Sequence, residues 1–148
     1  MIEFSCSTID PLAKEHQIHV EAQFPPEPVI IQGVEDKLNQ LFDNLLTNAI
    51  KYNREGGRVH VTLYQDSDSA YVRIADTGIG ISQNAVKDVF KRHFREETTP
   101  LGKMKGLGIG LSLVQEIIKL HDGEIDLKSE PEKGTTFTVM LPKKRDSL

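Results

Sequence analysis

The sequence predicts an α+β fold of two layers, a mostly antiparallel sheet with helices over one face, and three observations lead there. Short apolar/polar alternations come in pairs joined by polar turns, the mark of β-hairpins. Two long segments carry apolar residues at three- and four-residue spacing, the period of amphipathic helices. Hairpins pair antiparallel, and helices interspersed among them must cover the sheet to bury its apolar face.

In chain order, Ile18, Val20, Ala22 and Phe24 alternate with His19, Glu21 and Gln23, predicting a strand that Pro25, Pro26 and Pro28 terminate. After the apolar stretch Val29 to Gln32, the repeat Leu38, Leu41, Phe42, Leu45, Leu46 and Ala49 predicts a helix from about Glu35 to Tyr52. Asn53, Gly56 and Gly57 supply the turn that stops it. Val59, Val61 and Leu63, then Ala70, Val72 and Ile74, form a hairpin about the polar link Asp66 to Ser69. Asp76-Thr77-Gly78-Ile79-Gly80-Ile81 follows, with Ser82 as the N-cap of a short helix ending near Phe90. From Arg95 to Lys105 no period is visible, which predicts a mobile loop. Gly106-Leu107-Gly108-Ile109-Gly110 opens a last helix with Leu111, Val114, Ile117 and Ile118 apolar, ended by Asp122 and Gly123. Ile125 and Leu127, then Phe137, Val139 and Leu141, make a second hairpin. The polar tail Lys143 to Leu148 is expected to fray.

Composition excludes several classes. The 148 residues hold 18 Lys+Arg against 22 Asp+Glu, a net charge of −4, and 38% are apolar, which suits one soluble globular domain. The acidic balance argues against a nucleic-acid surface. A single cysteine, Cys6, excludes a disulfide framework. No apolar run approaches the roughly 20 residues of a membrane span, and the first residues lack the features of a signal peptide, so a cytoplasmic chain is expected.

Three groups of residues point to chemistry. On the first long helix, Gln40, Asn44, Asn48 and Lys51 share the face opposite the leucines. Solvated faces are usually built from Glu, Lys and Arg, and each interior Asn costs roughly 0.5 kcal/mol of helix propensity against Ala. A carboxamide oxygen can ligate a hard cation such as Mg²⁺ without adding charge that repels a polyphosphate on the same ion. Lys51 would meet the phosphates as a point charge. In Asp76-Thr77-Gly78-Ile79-Gly80 the glycines either serve a turn or let backbone approach a flat ligand, while the carboxylate accepts from an exocyclic amine. Guanine carries a carbonyl at that position, so Asp selects adenine. Gly106, Gly108 and Gly110 stand at a helix start, where unpaired N–H groups favour an anion. Their register fits neither the dinucleotide fingerprint nor a P-loop.

The order of these groups resembles the catalytic and ATP-binding domain of sensor histidine kinases, in the superfamily with type II topoisomerases, heat-shock chaperones and mismatch-repair ATPases. "QLFDNLLTNAIKYNREGG" resembles the family's N box, "DTGIGI" its G1 box, "VFKRHFRE" its F box, "GLGIGLSLV" its G2 box and "GTTFTVMLP" its G3 element. The resemblance runs from about Ile18 to Pro142 and implies an α/β sandwich, the Bergerat ATP-binding fold, with a mixed, mostly antiparallel sheet. It implies a lid from Arg92 to Lys105. By the same analogy Asn48 and Asn44 hold Mg²⁺, Lys51 contacts phosphate and Tyr52 packs near the adenine. Asp76 binds the adenine amino group, Thr135 supports a water beside it, and Gly78, Gly80 and Ile81 shape that pocket. Arg95 reaches the phosphates from the lid, and backbone of Gly106, Leu107, Gly108, Ile109, Gly110 and Leu111 surrounds the triphosphate.

Three positions depart from the pattern: Val34 stands where an Asp usually caps the long helix, His93 replaces a Phe, and Asp122 replaces a small residue. The phosphoacceptor is also missing, since none of His16, His19, His60, His93 and His121 lies in an H-E-[LF]-R-T-P context. The expectation is an ATP·Mg²⁺-binding kinase domain that does not autophosphorylate efficiently by itself. It would deliver the γ-phosphoryl of ATP to a histidine on a separate dimerisation domain, within a two-component signal-transduction phosphorelay ending on a response regulator. Residues 1–14 would be the remnant of the connection to that domain, residues 15–142 the ATP-binding domain, and the isolated chain a monomer. His60, on a strand, is expected to be solvated or cross-strand, and His121 to suit the C-terminal end of its helix. Two alternatives are a stand-alone anti-sigma-factor serine kinase of the same fold and a non-catalytic nucleotide-binding scaffold. The text "NLLTNAIKY" and the phenylalanines Phe90 and Phe94 favour the histidine-kinase branch over the first, and the intact Asn48, Asp76 and G2 glycines argue against the second.

Overall fold

A computed structural model describes residues 2–81 and 107–144, without the side chains of residues 4 and 107–110. The elements are α1 (Ile2–Glu15), β1 (His19–Gln23), α2 (Glu35–Lys51), β2 (Arg58–Gln65), β3 (Ser69–Asp76), α3 (Leu107–Leu120), β4 (Glu124–Glu130) and β5 (Gly134–Pro142). The strands form one sheet in the order β1-β2-β3-β5-β4. β2 with β3, β3 with β5 and β4 with β5 pair antiparallel, as the hairpin patterns predict. β1 pairs parallel to β2, with Glu21 opposite His60, because α2 carries the chain back to the same end of the sheet. The mixed sheet and its helical cover are the α+β architecture expected.

One apolar core joins the layers. The α2 stripe Leu38, Leu41, Phe42, Leu45, Leu46, Ala49 and Ile50 is buried, and it meets Val59, Val61, Val72, Ile74, Phe137, Val139 and Leu141 from alternate positions of the central strands. Leu111, Val114, Ile117 and Ile118 of α3 enter the same core. Residues 2–15, for which the sequence reading predicts no element, form a helix whose Ile2, Ile9 and Ala13 are buried in that core too.

Helix α3 closes with a Schellman motif: Gly123 N–H donates to the Ile118 carbonyl (2.9 Å) and Asp122 N–H to Lys119 (3.1 Å). Asp122 takes φ +57°, which accounts for a short polar side chain where the pattern has a small residue. Two expectations are corrected. Helix α3 already starts at Leu107, so Gly108 and Gly110 lie in its first turn rather than ahead of it. Lys143 is not frayed: its N–H donates to Asp68 (2.8 Å) and its carbonyl accepts from Gln32 (2.9 Å), because the strand end is clasped between two loops. The short helix from Ser82 to Phe90, the F box, the lid with Arg95, Gly106 and residues 145–148 lie outside the described residues.

Candidate functional site

The end of α2, the segment after β3 and the start of β5 meet at one edge of the sandwich. There Asn48, Ala49, Tyr52, Asp76, Ile79, Gly80, Ile81, Thr135 and Phe137 line a pit of about 30 Å³. Six of the residues expected at the site, Asn48, Tyr52, Asp76, Gly80, Ile81 and Thr135, are thus brought together from three elements far apart in sequence. A larger hollow of about 650 Å³ opens elsewhere, between the proline-rich loop and the outer ends of β2 and β3. Its charged lining is Glu3, Glu27 and Glu35, without a cation, which does not suit a phosphate ligand.

Asp76 is the electrostatic centre of the pit. Its Oδ1 accepts the backbone N–H groups of Gly78 (2.9 Å) and Thr135 (3.2 Å). Oδ2 has no protein partner among the described residues. Burial outweighs those two hydrogen bonds and raises the carboxyl from its ordinary value of 3.8 to about 6. The group is therefore a carboxylate near pH 7, oriented by backbone on one oxygen and left with accepting capacity on the other.

Beside it, Ser129 donates to the Gly134 carbonyl (3.0 Å). Having one proton, it accepts from the Ile81 N–H (2.7 Å) and from the Thr135 hydroxyl (2.8 Å). Thr135 consequently has only lone pairs to offer the pit. Ser129 is a buried residue that the sequence reading missed, and only the β4–β5 register, which sets Ser129 opposite Thr135, exposes its role. Ser129→Ala strands the Ile81 N–H and the Thr135 hydroxyl, and we expect a loss of about 1–3 kcal/mol in urea unfolding.

Asn53 was also missed as an organiser. Its Oδ1 accepts from the Arg54 N–H (2.8 Å) and the Thr77 hydroxyl (3.3 Å), and its Nδ2 donates to the Arg58 carbonyl (3.0 Å), tying the end of α2 to the turn after β3. Arg54 reaches across to Glu132, donating to its carbonyl (2.8 Å) and its carboxylate (2.5 Å).

The glycines also make room for protein backbone. A Cβ on Gly78 would stand 2.5 Å from the Tyr52 carbonyl, and one on Gly80, at φ +73°, 2.0 Å from the Glu130 carbonyl. Both allow protein backbone to come close: Gly78 lets the Tyr52 carbonyl approach beside Asp76, and Gly80 lets the segment after β3 approach Glu130. Gly80 still forms part of the pit, whereas Gly78 does not.

The amide face of α2 is divided. Asn48 lines the pit, and its Nδ2 is buried with no partner among the described residues. Asn44 is half-buried one turn earlier and Lys51 is exposed, and neither lines the pit. The Leu111 side chain is in the core, so only its backbone could serve a ligand. His60 lies across from Glu21, with Nδ1 3.5 Å from the carboxylate, the cross-strand position expected of it.

The sequence profile described as histidine kinase-, DNA gyrase B- and HSP90-like ATPase matches residues 33–145. The chain is 33% identical over 150 residues to the sensor histidine kinase WalK of Bacillus subtilis, covering 99% of this chain and 24% of that protein. It is 37% identical over 122 residues to the sensor protein kinase WalK of Staphylococcus haemolyticus, covering 81% of this chain and 20% of that one. These relatives are therefore four or more times as long as the region matched. Among solved structures, the mycobacterial sensor histidine kinase MprB superposes with a TM-score of 0.83 at 30% identity, over 97% of this chain and 94% of that one.

Proposed function

Because the chain belongs to the family of histidine kinase-, DNA gyrase B- and HSP90-like ATPases, we propose that it is the ATP-binding kinase domain of a two-component sensor histidine kinase. It binds ATP and presents the γ-phosphoryl to a histidine on a separate dimerisation domain, which residues 1–14 connect to it; a response regulator then takes the phosphoryl. The observation that carries this reading is Asp76, with Oδ1 occupied by backbone donors and Oδ2 left over in a pit shared with Asn48 and Thr135.

In this reading Asp76 Oδ2 accepts from the adenine amino group, and a water bonded to the ring donates to Thr135. The pit, at about 30 Å³, has room for roughly one water. Only the amino edge of the base enters it, and the ring lies over Tyr52 and Ile79. The phosphates extend past Asn48 toward Lys51 and the backbone of Leu107 to Leu111 at the start of α3; Gly106 and Arg95, expected to contribute as well, lie outside the described residues.

Mg²⁺ fits the donor set of α2. The carboxamide oxygens of Asn48 and Asn44 are neutral ligands that could hold the ion, while the unpartnered Asn48 Nδ2, a donor, is free to bond a phosphate oxygen. Among the described residues no three His, Cys, Asp or Glu stand together, and the ion would complete its coordination with oxygens of the nucleotide or solvent. Held there, the ion would supply charge neutralisation at the phosphates, and Lys51 and Arg95 supply it from the protein side. Transfer to an imidazole nitrogen requires positioning and charge neutralisation more than a protein base.

Calorimetric titration with ADP and a non-hydrolysable ATP analogue, with and without Mg²⁺ and with GTP as control, tests the site. Adenine-selective, Mg²⁺-enhanced binding in the micromolar range, about −8 kcal/mol, is expected; equal affinity for GTP would overturn the role of Asp76. Asn48→Asp adds a negative charge at the ion and the phosphates. It is expected to slow phosphotransfer to a supplied dimerisation domain about tenfold or more; an unchanged rate would remove Asn48 from the ion.

A further inference from the structure

Helix α2 begins without a cap of its own. Its N-cap residue Val34 has no side-chain acceptor, and the third helical residue, from which a Glu or Gln could reach back to the N-cap N–H, is Lys37, which only donates. The Val34 carbonyl takes up the Leu38 N–H in the first turn (3.0 Å), but the Val34 N–H has no partner within α2. That N–H donates instead to Nε2 of His121 (3.0 Å), 87 residues further along the chain.

His121 lies immediately after α3 and is 1% exposed. Since Nε2 accepts, the ring proton sits on Nδ1, which donates to the Ile117 carbonyl (2.8 Å) in the last turn of α3. Gly33 leaves room for the ring: a Cβ there would stand 3.0 Å from Nε2 and 2.7 Å from Leu38 Cδ1. The imidazole is thus a bridge from the Ile117 carbonyl at the negative end of α3, which also accepts the His121 backbone N–H (3.2 Å), to an orphan N–H at the positive end of α2.

We infer that His121 is a positioning residue for the nucleotide site, a clamp that fixes α2 relative to α3. The inference rests on the nucleotide reading above, because α2 supplies Asn44, Asn48 and Tyr52, and α3 supplies the phosphate-facing backbone from Leu107 to Leu111. At 1.5 Å per residue, Asn48 and Leu107 each lie about 21 Å along their helices from the clamp. A cap built within α2 would stabilise that helix equally well but leave its placement against α3 to apolar packing alone, which tolerates sliding. The ring does not, since Nδ1 ties it to the end of α3 and any shift of α2 relative to α3 breaks the Val34 N–H bond to Nε2.

This separates two roles that a single substitution confounds. His121→Leu removes cap and clamp together. Adding Val34→Ser and Lys37→Glu supplies a capping box inside α2 and restores the cap without the clamp. We expect His121→Leu to lower the melting temperature, speed exchange of the Val34 amide and weaken ADP binding at least about fivefold, the low end of site-to-site coupling. The triple variant should regain its melting temperature but not its ADP affinity. If the triple variant also regains wild-type affinity, or if His121→Leu binds ADP as tightly as the wild type, His121 is a cap only and the inference fails.

Should His121→Leu not fold, the unmodified protein carries the same test. Coupling is reciprocal, so saturating ADP must slow Val34 amide exchange about fivefold or more; unchanged exchange overturns the clamp. Absence of ADP binding to the unmodified protein overturns the nucleotide reading itself, and the clamp with it.

Discussion

Asp76→Asn will weaken ADP binding about a hundredfold and remove the preference for adenine over guanine, while making the nucleotide-free protein more stable at neutral pH. The amide keeps an oxygen for the Gly78 and Thr135 N–H groups, so the local fold is retained. What changes is the other atom, which becomes a donor facing the donor of the base. A hundredfold loss is about 2.7 kcal/mol, within the range of one hydrogen bond to a charged group.

The stability gain has its origin in the raised carboxyl. Folding lifts it from 3.8 to about 6, so above pH 6 the native state holds a buried charge that the unfolded chain carries at no cost. The native state binds the extra proton, and the stability of the nucleotide-free protein therefore rises as pH falls from about 6 toward 3.8, by up to about 3 kcal/mol. Nucleotide affinity moves in the opposite direction, because protonation turns Oδ2 from acceptor to donor. Below about pH 6 affinity should fall, and in Asp76→Asn that dependence should vanish. Urea unfolding at pH 4–8 for both proteins, beside calorimetry at the same values, checks each sign. A substitution that destabilises at pH 7.5 and leaves base selectivity intact would contradict both.

Gly134→Ala has the largest expected effect on stability, a loss of about 3 kcal/mol or more. Gly134 takes φ +119°, and a Cβ on it would stand 2.0 Å from the Asp76 carbonyl oxygen and 3.1 Å from Thr77 Cα. Both obstructions are backbone, so neither can rotate away. Relief requires β5 to draw back from β3 at the point where the Thr135 N–H holds Asp76, and ADP binding should weaken even in the folded fraction. Gly56→Ala is the control. Its φ of +81° is also left-handed, but nothing lies within 4 Å, and it should cost only about 1–2 kcal/mol with unchanged ADP affinity. Urea unfolding and ADP titration of the two variants separate backbone conformation from overlap; equal losses would mean that overlap at Gly134 is relieved without harm.

The pattern of single side chains was legible where one period governs one surface. The leucine stripe of α2 and the alternations of β2, β3 and β5 face a common core, so their spacing carried the layers and the antiparallel pairs. The site was legible where a residue type is poorly explained by packing: Asn48 on a helix face, and Asp76 followed by two glycines. It was illegible where function depends on register between distant segments. Ser129 reads as an ordinary strand serine until β5 sets it opposite Thr135. Asn53 reads as a turn residue until its amide is seen holding Arg58 and Thr77. His121 reads as a helix-end histidine; that it completes the start of α2 follows only from the meeting of two helix ends.

By itself the sequence determined the α+β class, the order of the described elements from β1 onward, the amide face of α2 and the candidacy of Asp76, since each depends on local spacing or on the chemistry of one residue type. Only the tertiary structure decided that β1 joins the sheet in parallel, that Gly78, Gly80 and Gly134 make room for protein backbone, and that the histidine following α3 caps α2. Those properties are distances between atoms remote along the chain, fixed by how the core packs, and no periodicity within a segment encodes them.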